Sequence, residues 1–208
     1  MPSNTRMFSS SVTELWMAET PPRDAVELSR LIDRAITGDT AAFSEIVIRH
    51  QRRVIMLAWR LLGNSEDAQD AAQEVFLRAF KYLRRFDRNK PLEPWLVGTT
   101  VNVCRSLRRK QLKRAAALDA RTLLERPRFA PDPHTVLASD EQRQRLYRAL
   151  DSLAEKERTA VILRDIEGVS TAEVAEILGS RESTVRSQIS VARLKLRKTI
   201  ERMKGNQR

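Results

Sequence analysis

The stretch Ser170 to Lys198, STAEVAEILGSRESTVRSQISVARLKLRK, leaves the last third of this chain little choice but two helices joined by a tight turn. Ser170 and Glu173 have the Ser-x-x-Glu spacing of a capping box, in which each residue satisfies an orphan N–H at a helix start. Val174, Ala175 and Leu178 give that helix an apolar face. Gly179 stands where the helix must stop and the chain must turn, a position that favours positive φ. The second helix is predicted to restart near Ser183 or Thr184. Its apolar stripe is Val185, Ile189, Ala192 and Leu196, at spacings of 4, 3 and 4. Thr184, Arg186, Ser187, Ser190, Arg193 and Arg197 fall off that stripe. A helix with one buried face and one basic, hydrogen-bonding face suits the major groove of DNA. The plainer reading is a surface hairpin whose charges are only solvated.

Charge favours the first reading. The 208 residues carry a net charge of +11, which implies attraction to a polyanion. Charged residues make up 31% and glycines number six, so the chain reads as helical, with one large or two small domains. Cys104 is the single cysteine, which excludes an internal disulfide or a cysteine-based zinc site. His50 and His134 are too isolated for a metal centre, and no cofactor is expected. His50 falls on an apolar stripe and reads as a hydrogen-bonded, semi-core histidine. No apolar run approaches the roughly 18 residues of a membrane span, so no membrane insertion is expected. Residues 1–24 lack the apolar core of a signal peptide and read as a disordered leader, which points to a cytoplasmic protein.

Three parts follow the leader. Residues 25–112 are helical throughout. Phe43, Val47, His50, Val54, Leu57 and Leu61 mark one long amphipathic helix, ended by Gly63 and Asn64. Asn64 or Ser65 caps the next helix, whose core face is Ala68, Ala72, Phe76, Ala79 and Phe80. After a turn-rich piece, Pro94 suits the first turn of a helix running from about Trp95 to about Lys113. Residues 113–138 read as a flexible linker because of Pro127, Pro131 and Pro133, with some helix near Leu118 to Leu124. The second domain, 139–208, opens on a Ser139-x-x-Gln142 cap, and Ser152 to Glu155 repeats the capping box. The fold expected is all-α: two small helical domains on a flexible tether.

Two constellations stand outside the C-terminal hairpin. Asp70, Gln73, Glu74 and Leu77 share the outer face of the helix after Asn64, an acidic and amide face in a basic protein. Such a face suits a basic protein surface; a merely solvated face is the alternative. The second is Phe86, Trp95 and Asn102 among Arg84, Arg85, Arg88, Lys90, Arg105, Arg108, Arg109 and Lys110. Single strands bind to aromatic or amide pockets beside cationic tracks, and an asparagine can read a flipped base. The alternative puts Phe86 and Trp95 in the core. No catalytic constellation is found: no glycine-rich phosphate loop, no G-x-S-x-G, no H-E-x-x-H and no Cys–His pair.

The order of these parts resembles a bacterial RNA polymerase sigma factor of the extracytoplasmic-function group, over about Leu31 to Lys198. Gly38-Asp39 to Phe43 is similar to the start of region 2, and Asp67 to Phe80, with Gln73-Glu74 and Phe76, to region 2.2. Trp95-Leu96 with Asn102 resembles regions 2.3 and 2.4. Leu163 to Gly168, Ala175 and Thr184 to Ser187 resemble region 4. The resemblance implies a non-enzymatic factor that directs promoter recognition and initiation. It assigns Asp70, Gln73 and Glu74 to the clamp helices of the polymerase β′ subunit. It assigns Phe86, Asp87, Arg88, Asn89, Lys90, Trp95, Asn102, Arg105 and Arg109 to the −10 element. It assigns Thr184, Arg186, Ser187, Ser190 and Arg193 to the −35 element. It makes the linker a region 3.2 that threads the polymerase, and it implies an anti-sigma partner. Ser180, Glu182, Ser183, Gln188 and Val191 depart from the family pattern in region 4, as does Gly98 in region 2. The rivals are a helix-turn-helix regulator, which would need a dimer interface or ligand pocket, and a polymerase-binding module without promoter activity.

Overall fold

The computed structural model describes residues 22–88, 90–117, 149–150 and 152–205. The leader before Pro22, Asn89, the expected helix near Leu118 to Leu124 and the expected Ser139–Gln142 cap lie outside the described residues. Regular structure among the described residues is helical, with no strand. The elements are α1 (Pro22–Ile36), α2 (Thr40–Leu62), α3 (Ser65–Tyr82), a 3-10 turn (Leu83–Arg85) and α4 (Leu92–Ala117). After these come α5 (Glu155–Val161), a π-helical turn (Ile162–Ile166), α6 (Thr171–Leu178) and α7 (Glu182–Gly205). The chain divides into two compact units, Met1–Ile46 and Val47–Arg208.

In the first unit, Leu31, Ile32, Ala35, Ala42 and Ile46 are buried. Asp39 caps α2: its carboxylate accepts from the Ala42 N–H at 3.0 Å and from Arg34 Nε at 2.8 Å. Those two bonds favour the ionised form and hold the Asp39 pKa below the usual carboxylate range.

In the second unit, α3 begins where the Asn64 side chain accepts from the Asp67 N–H at 2.7 Å. Its buried face is rich in alanine (Ala68, Ala71, Ala72, Ala79), with Val75 and Phe76, so α4 approaches it closely. Phe80 is not part of this core; it is 50% exposed. The buried row runs Ala72, Phe76, Ala79 and then Leu83, and Phe80 lies about a quarter-turn past Ala79. On α4, Leu96, Val97, Thr100, Val101, Val103 and Cys104 are buried. The helix starts at Leu92, puts Pro94 in its first turn as expected, and runs past Lys113 to Ala117.

Toward the C-terminus, α7 packs on α5 and α6 through Val185, Ile189, Ala192 and Leu196, all buried as the periodicity predicts. The first capping box forms: Ser170 Oγ accepts from the Glu173 N–H at 3.2 Å, and Glu173 Oε2 from the Ser170 N–H at 3.0 Å. The expected box at Ser152 does not. Ser152 Oγ instead donates back to the Ala149 carbonyl at 2.7 Å. The helix starts later, after Ala154, whose N–H donates to Glu157 Oε2 at 3.3 Å. The second helix of the hairpin begins at Glu182, slightly ahead of the predicted start.

Two glycines in this unit predict opposite effects of the same substitution. Gly179 ends α6 in the left-handed region, φ 60° and ψ 43°, where a Cβ costs about 1–2 kcal/mol. Gly98 lies inside α4, where a Cβ would stand 3.6 Å from Ile177 Cγ1, an ordinary contact. Gly179→Ala should therefore lose about 1 kcal/mol and Gly98→Ala gain about 0.5–1 kcal/mol, measured by urea unfolding followed by far-UV circular dichroism.

Candidate nucleic-acid interface

The basic face of α7 is open where the helix starts. Thr184, Arg186, Ser187 and Ser190 are all exposed. Among the described residues Arg186 pairs with Glu182, one turn before it, at 2.6 Å with both side chains in solvent. An exposed pair of this kind contributes at most about 1 kcal/mol and is readily exchanged for another partner. Farther along, the helix is tied to its own scaffold. Arg193 donates from Nε and Nη2 to the two oxygens of Asp165, at 2.9 and 2.6 Å. This bond raises the Arg193 guanidinium above its ordinary value. Lys195 Nζ reaches Glu157 at 2.8 Å. Gln188 buries its Oε1 without a hydrogen-bond partner, so this side chain turns toward the protein. The open polar face is thus at the start of α7. Arg193 reaches a phosphate only by leaving Asp165.

The second predicted cluster divides into support and surface. Phe86 is 8% exposed, and its ring meets Trp95 at a centroid distance of 5.3 Å and an interplanar angle of 54°. A ring so covered cannot itself stack on a base; it props Trp95, which is half-buried. Asn102 lies two turns after Trp95 on α4 and is exposed. Asp87, Arg88, Lys90 and Arg109 are exposed and Arg105 is half-buried. Asn89 lies outside the described residues.

The acidic face of α3 stands as the periodicity predicts. Asp70 and Gln73 are exposed, Glu74 is half-buried and bonded to Arg78 at 2.6 Å, and Leu77 projects into solvent beside them. Asp67 is spent on structure, accepting from Asn64 at 2.5 Å and from Gln111 Nε2 at 2.8 Å. Residue-by-residue reading overlooked Tyr82, which is 40% exposed, with Lys81 Nζ 5.5 Å and the Arg85 guanidinium 5.9 Å from its ring centre. The signal was available in an aromatic residue flanked by cations at a helix end. It also overlooked Asp165 and Glu167, whose partners are far away in sequence.

His50 is 8% exposed, as a semi-core residue should be. It lines a small cleft with Val54, Leu57, Leu96, Val97 and the polar Arg53, Glu93 and Thr100, and its Nε2 is buried without a hydrogen-bond partner. Cys104 is buried among apolar neighbours, which pushes its thiol up to about 12. The described residues hold no group of three or more acidic, histidine or cysteine side chains fit for a metal ion. No helix among them is long and apolar enough to cross a membrane.

The helical scaffold and the exposed cationic helix together define a DNA-binding protein built around a helix-turn-helix. Comparison with known proteins narrows the class. The Sigma-70 region 2 family matches residues 46–114, and the Sigma-70 region 4 family matches residues 143–196. The chain is 38% identical over 166 residues to the ECF RNA polymerase sigma factor SigE of Mycolicibacterium smegmatis, across 77% of this chain and 63% of that one. It is 32% identical over 171 residues to the ECF RNA polymerase sigma-E factor of Escherichia coli K12, across 78% of this chain and 88% of that one. In fold it is similar to the sigma factor RpoE of Bartonella quintana, solved with the anti-sigma factor NepR (TM-score 0.67, 24% identity, 76% and 96% coverage). It is likewise similar to CnrH, solved with the cytosolic domain of CnrY (TM-score 0.57, 24% identity, 83% and 96% coverage). The chain belongs to the ECF group of RNA polymerase sigma factors. Sigma factors direct promoter recognition and transcription initiation and are in general non-catalytic. The chain spans less than two thirds of the length of its mycobacterial relative.

Buried His50 makes stability depend on pH. Desolvation lowers its basicity; Glu93 opposes this, and Arg53 and Arg49 add to it. The unfolded chain therefore binds the proton more readily, and stability falls as pH drops below about 6.5. Thermal unfolding across pH 5 to 7 should show a steeper loss toward acid for the parent than for His50→Gln. Parallel curves would remove His50 from the pH dependence.

Proposed function

We propose that this chain binds core RNA polymerase and carries it to promoters that it reads at both the −10 and the −35 elements. The polymerase performs the chemistry, so the chain itself is not an enzyme, and its place of work is the cytoplasm. The domains we assign are 25–112, as region 2, and 139–208, as region 4, joined by a linker at 113–138 that follows the polymerase interior.

The observation that carries this reading is the division of α7 into two faces. Val185, Ile189, Ala192 and Leu196 are removed from water, while Thr184, Arg186, Ser187 and Ser190 stand in it at the helix start. That end of a recognition helix is the one that meets base edges. Arg186 reads a base, with Ser187, Ser190 and Thr184 beside it, and Arg193 and Arg197 steady the DNA backbone. In region 2, Asp70, Gln73 and Glu74 dock on the β′ clamp helices, an assignment supported by the exposure of Asp70 and Gln73 beside Glu74, whose one printed bond is to Arg78 on the same helix. Asn102 holds an unpaired base of the −10 element, beside Trp95 propped on Phe86. Asp87, Arg88, Asn89 and Lys90 line the capturing loop, and Arg105 and Arg109 neutralise the backbone. An anti-sigma protein restrains the free chain, as NepR accompanies RpoE and CnrY accompanies CnrH in the solved complexes.

Two arginines on α7 separate base reading from backbone binding. A bidentate arginine–guanine pair is worth about 1–3 kcal/mol of discrimination, and a phosphate contact carries none. In selection from a randomised −35 library by the holoenzyme, Arg186→Ala should relax preference at one position. Arg197→Ala should weaken all sequences alike and lower the salt slope by about 1. An Arg186→Ala protein that selects the parent's sequence would refute the assignment.

A further inference from the structure

Most of the large apolar side chains of α7 are taken out of water. Val185, Ile189 and Leu196 are buried, and Ile200 and Met203 are half-buried. Val191 and Leu194 are not; they are 38% and 52% exposed. A single apolar side chain in solvent is ordinary. These two are a pair, because residues three apart are neighbours on a helix surface. At about 100° per residue, Ser187 and Leu194 point away from the buried row, and Val191 lies between them along the axis, a little to one side. The pair thus continues the line of Ser187 and Ser190, the polar side chains open to solvent near the helix start. Cations flank it. Arg197 and Lys198 are exposed on the next turn, and Arg193 is held only by its solvent-exposed pair with Asp165. An apolar spot ringed by positive charge suits an apolar group carried by a polyanion.

The major groove of DNA offers one such group, the C5-methyl of thymine; the other features of its base edges are donors and acceptors. Valine has neither a donor nor an acceptor to give them. Against guanine, adenine or cytosine it would exclude water from a polar edge and leave that edge unpaired. Against thymine it covers one methyl group with others.

We infer that Val191, backed by Leu194, reads a thymine of the −35 element through its C5-methyl group, about two base pairs from the pair met by Arg186. The spacing follows from a rise of about 1.5 Å per residue, which puts Val191 about 7.5 Å beyond Arg186, against about 3.4 Å per base pair. The inference rests on the sigma-factor reading and adds to it a second specificity-determining side chain. Arg186 offers hydrogen bonds to one base pair, Val191 offers shape to another, and Leu194 keeps water from the second contact.

The test compares thymine with deoxyuridine, which lacks only that methyl group. Holoenzyme made from the full chain and core polymerase first selects from a duplex library randomised at −35. A thymine should be enriched at one position, about two base pairs from the one that Arg186→Ala relaxes. Deoxyuridine at that position should weaken binding by the parent about fourfold, the equivalent of about 0.8 kcal/mol for one buried CH2 group. For Val191→Ala the two duplexes should bind alike, and the thymine preference should be lost from its library. Val191→Arg should move the preference at that position to guanine, a gain that a folding defect would not produce. A parent holoenzyme that selects a −35 sequence, yet binds thymine and deoxyuridine duplexes alike at every position, overturns the inference and leaves the sigma-factor reading in place. One that selects no −35 sequence overturns both. Weaker binding of core polymerase by Val191→Ala and Leu194→Ala, with the −35 preference unchanged, would make the pair a protein-docking surface and overturn the thymine contact as well.

Discussion

The burial of four α7 side chains is the constraint on which the DNA-facing geometry depends. Val185, Ile189, Ala192 and Leu196 lie at spacings that put them on one side of the helix, and each is removed from water against α5 and α6. At about 25 cal/mol per Å2 of apolar area, such side chains are worth about 1.5–3 kcal/mol each when fully buried, Ala192 less. Once that face is committed, the rotation of α7 about its axis is settled, and with it the direction of Arg186, Ser187 and Ser190. The αL turn at Gly179 and the capping box at Ser170 set where α6 stops and starts. Asp165 and Glu157 then fasten the later turns of α7 through Arg193 and Lys195. These exposed pairs add little stability. They draw Arg193 and Lys195 toward the scaffold and leave the polar side chains of the near half in solvent.

Region 2 meets the same requirement with smaller side chains. Alanines on α3 bring α4 close, and Asp67 links the start of α3 to Gln111 near the far end of α4. The Phe86–Trp95 contact lies where the chain turns between the two helices. The acidic face of α3 and the cationic face that includes Arg109 and Lys110 project from one packed pair of helices. One small scaffold therefore presents opposite charges on two of its faces.

Much of this was legible in the sequence where one helix carried the whole signal. The α7 stripe, the Ser170 cap, the Gly179 turn and the outer face of α3 each depend on neighbours within a few residues. The misreadings came where several local solutions competed. Ser152 has the capping spacing, but its hydroxyl is used by the preceding turn. Phe80 is apolar and next to a core alanine, yet the row continues to Leu83 instead. His50 was rightly placed in the core, but its lack of an Nε2 partner depends on what packs around it. For Phe86 the sequence left pocket and core open, and the structure buries its ring against Trp95. The grip of Arg53 and Arg60 on Glu167 was invisible, because no periodicity links residues more than a hundred positions apart.

The central claim is that this chain makes core polymerase promoter-specific. Run-off transcription tests it most directly, using purified full-length chain, core polymerase and the DNA upstream of the chain's own coding sequence as template. The account predicts a single discrete transcript that appears only when the chain is present. Tight binding of the chain to core polymerase with no discrete transcript, on that template or on any promoter from a randomised library, would contradict it.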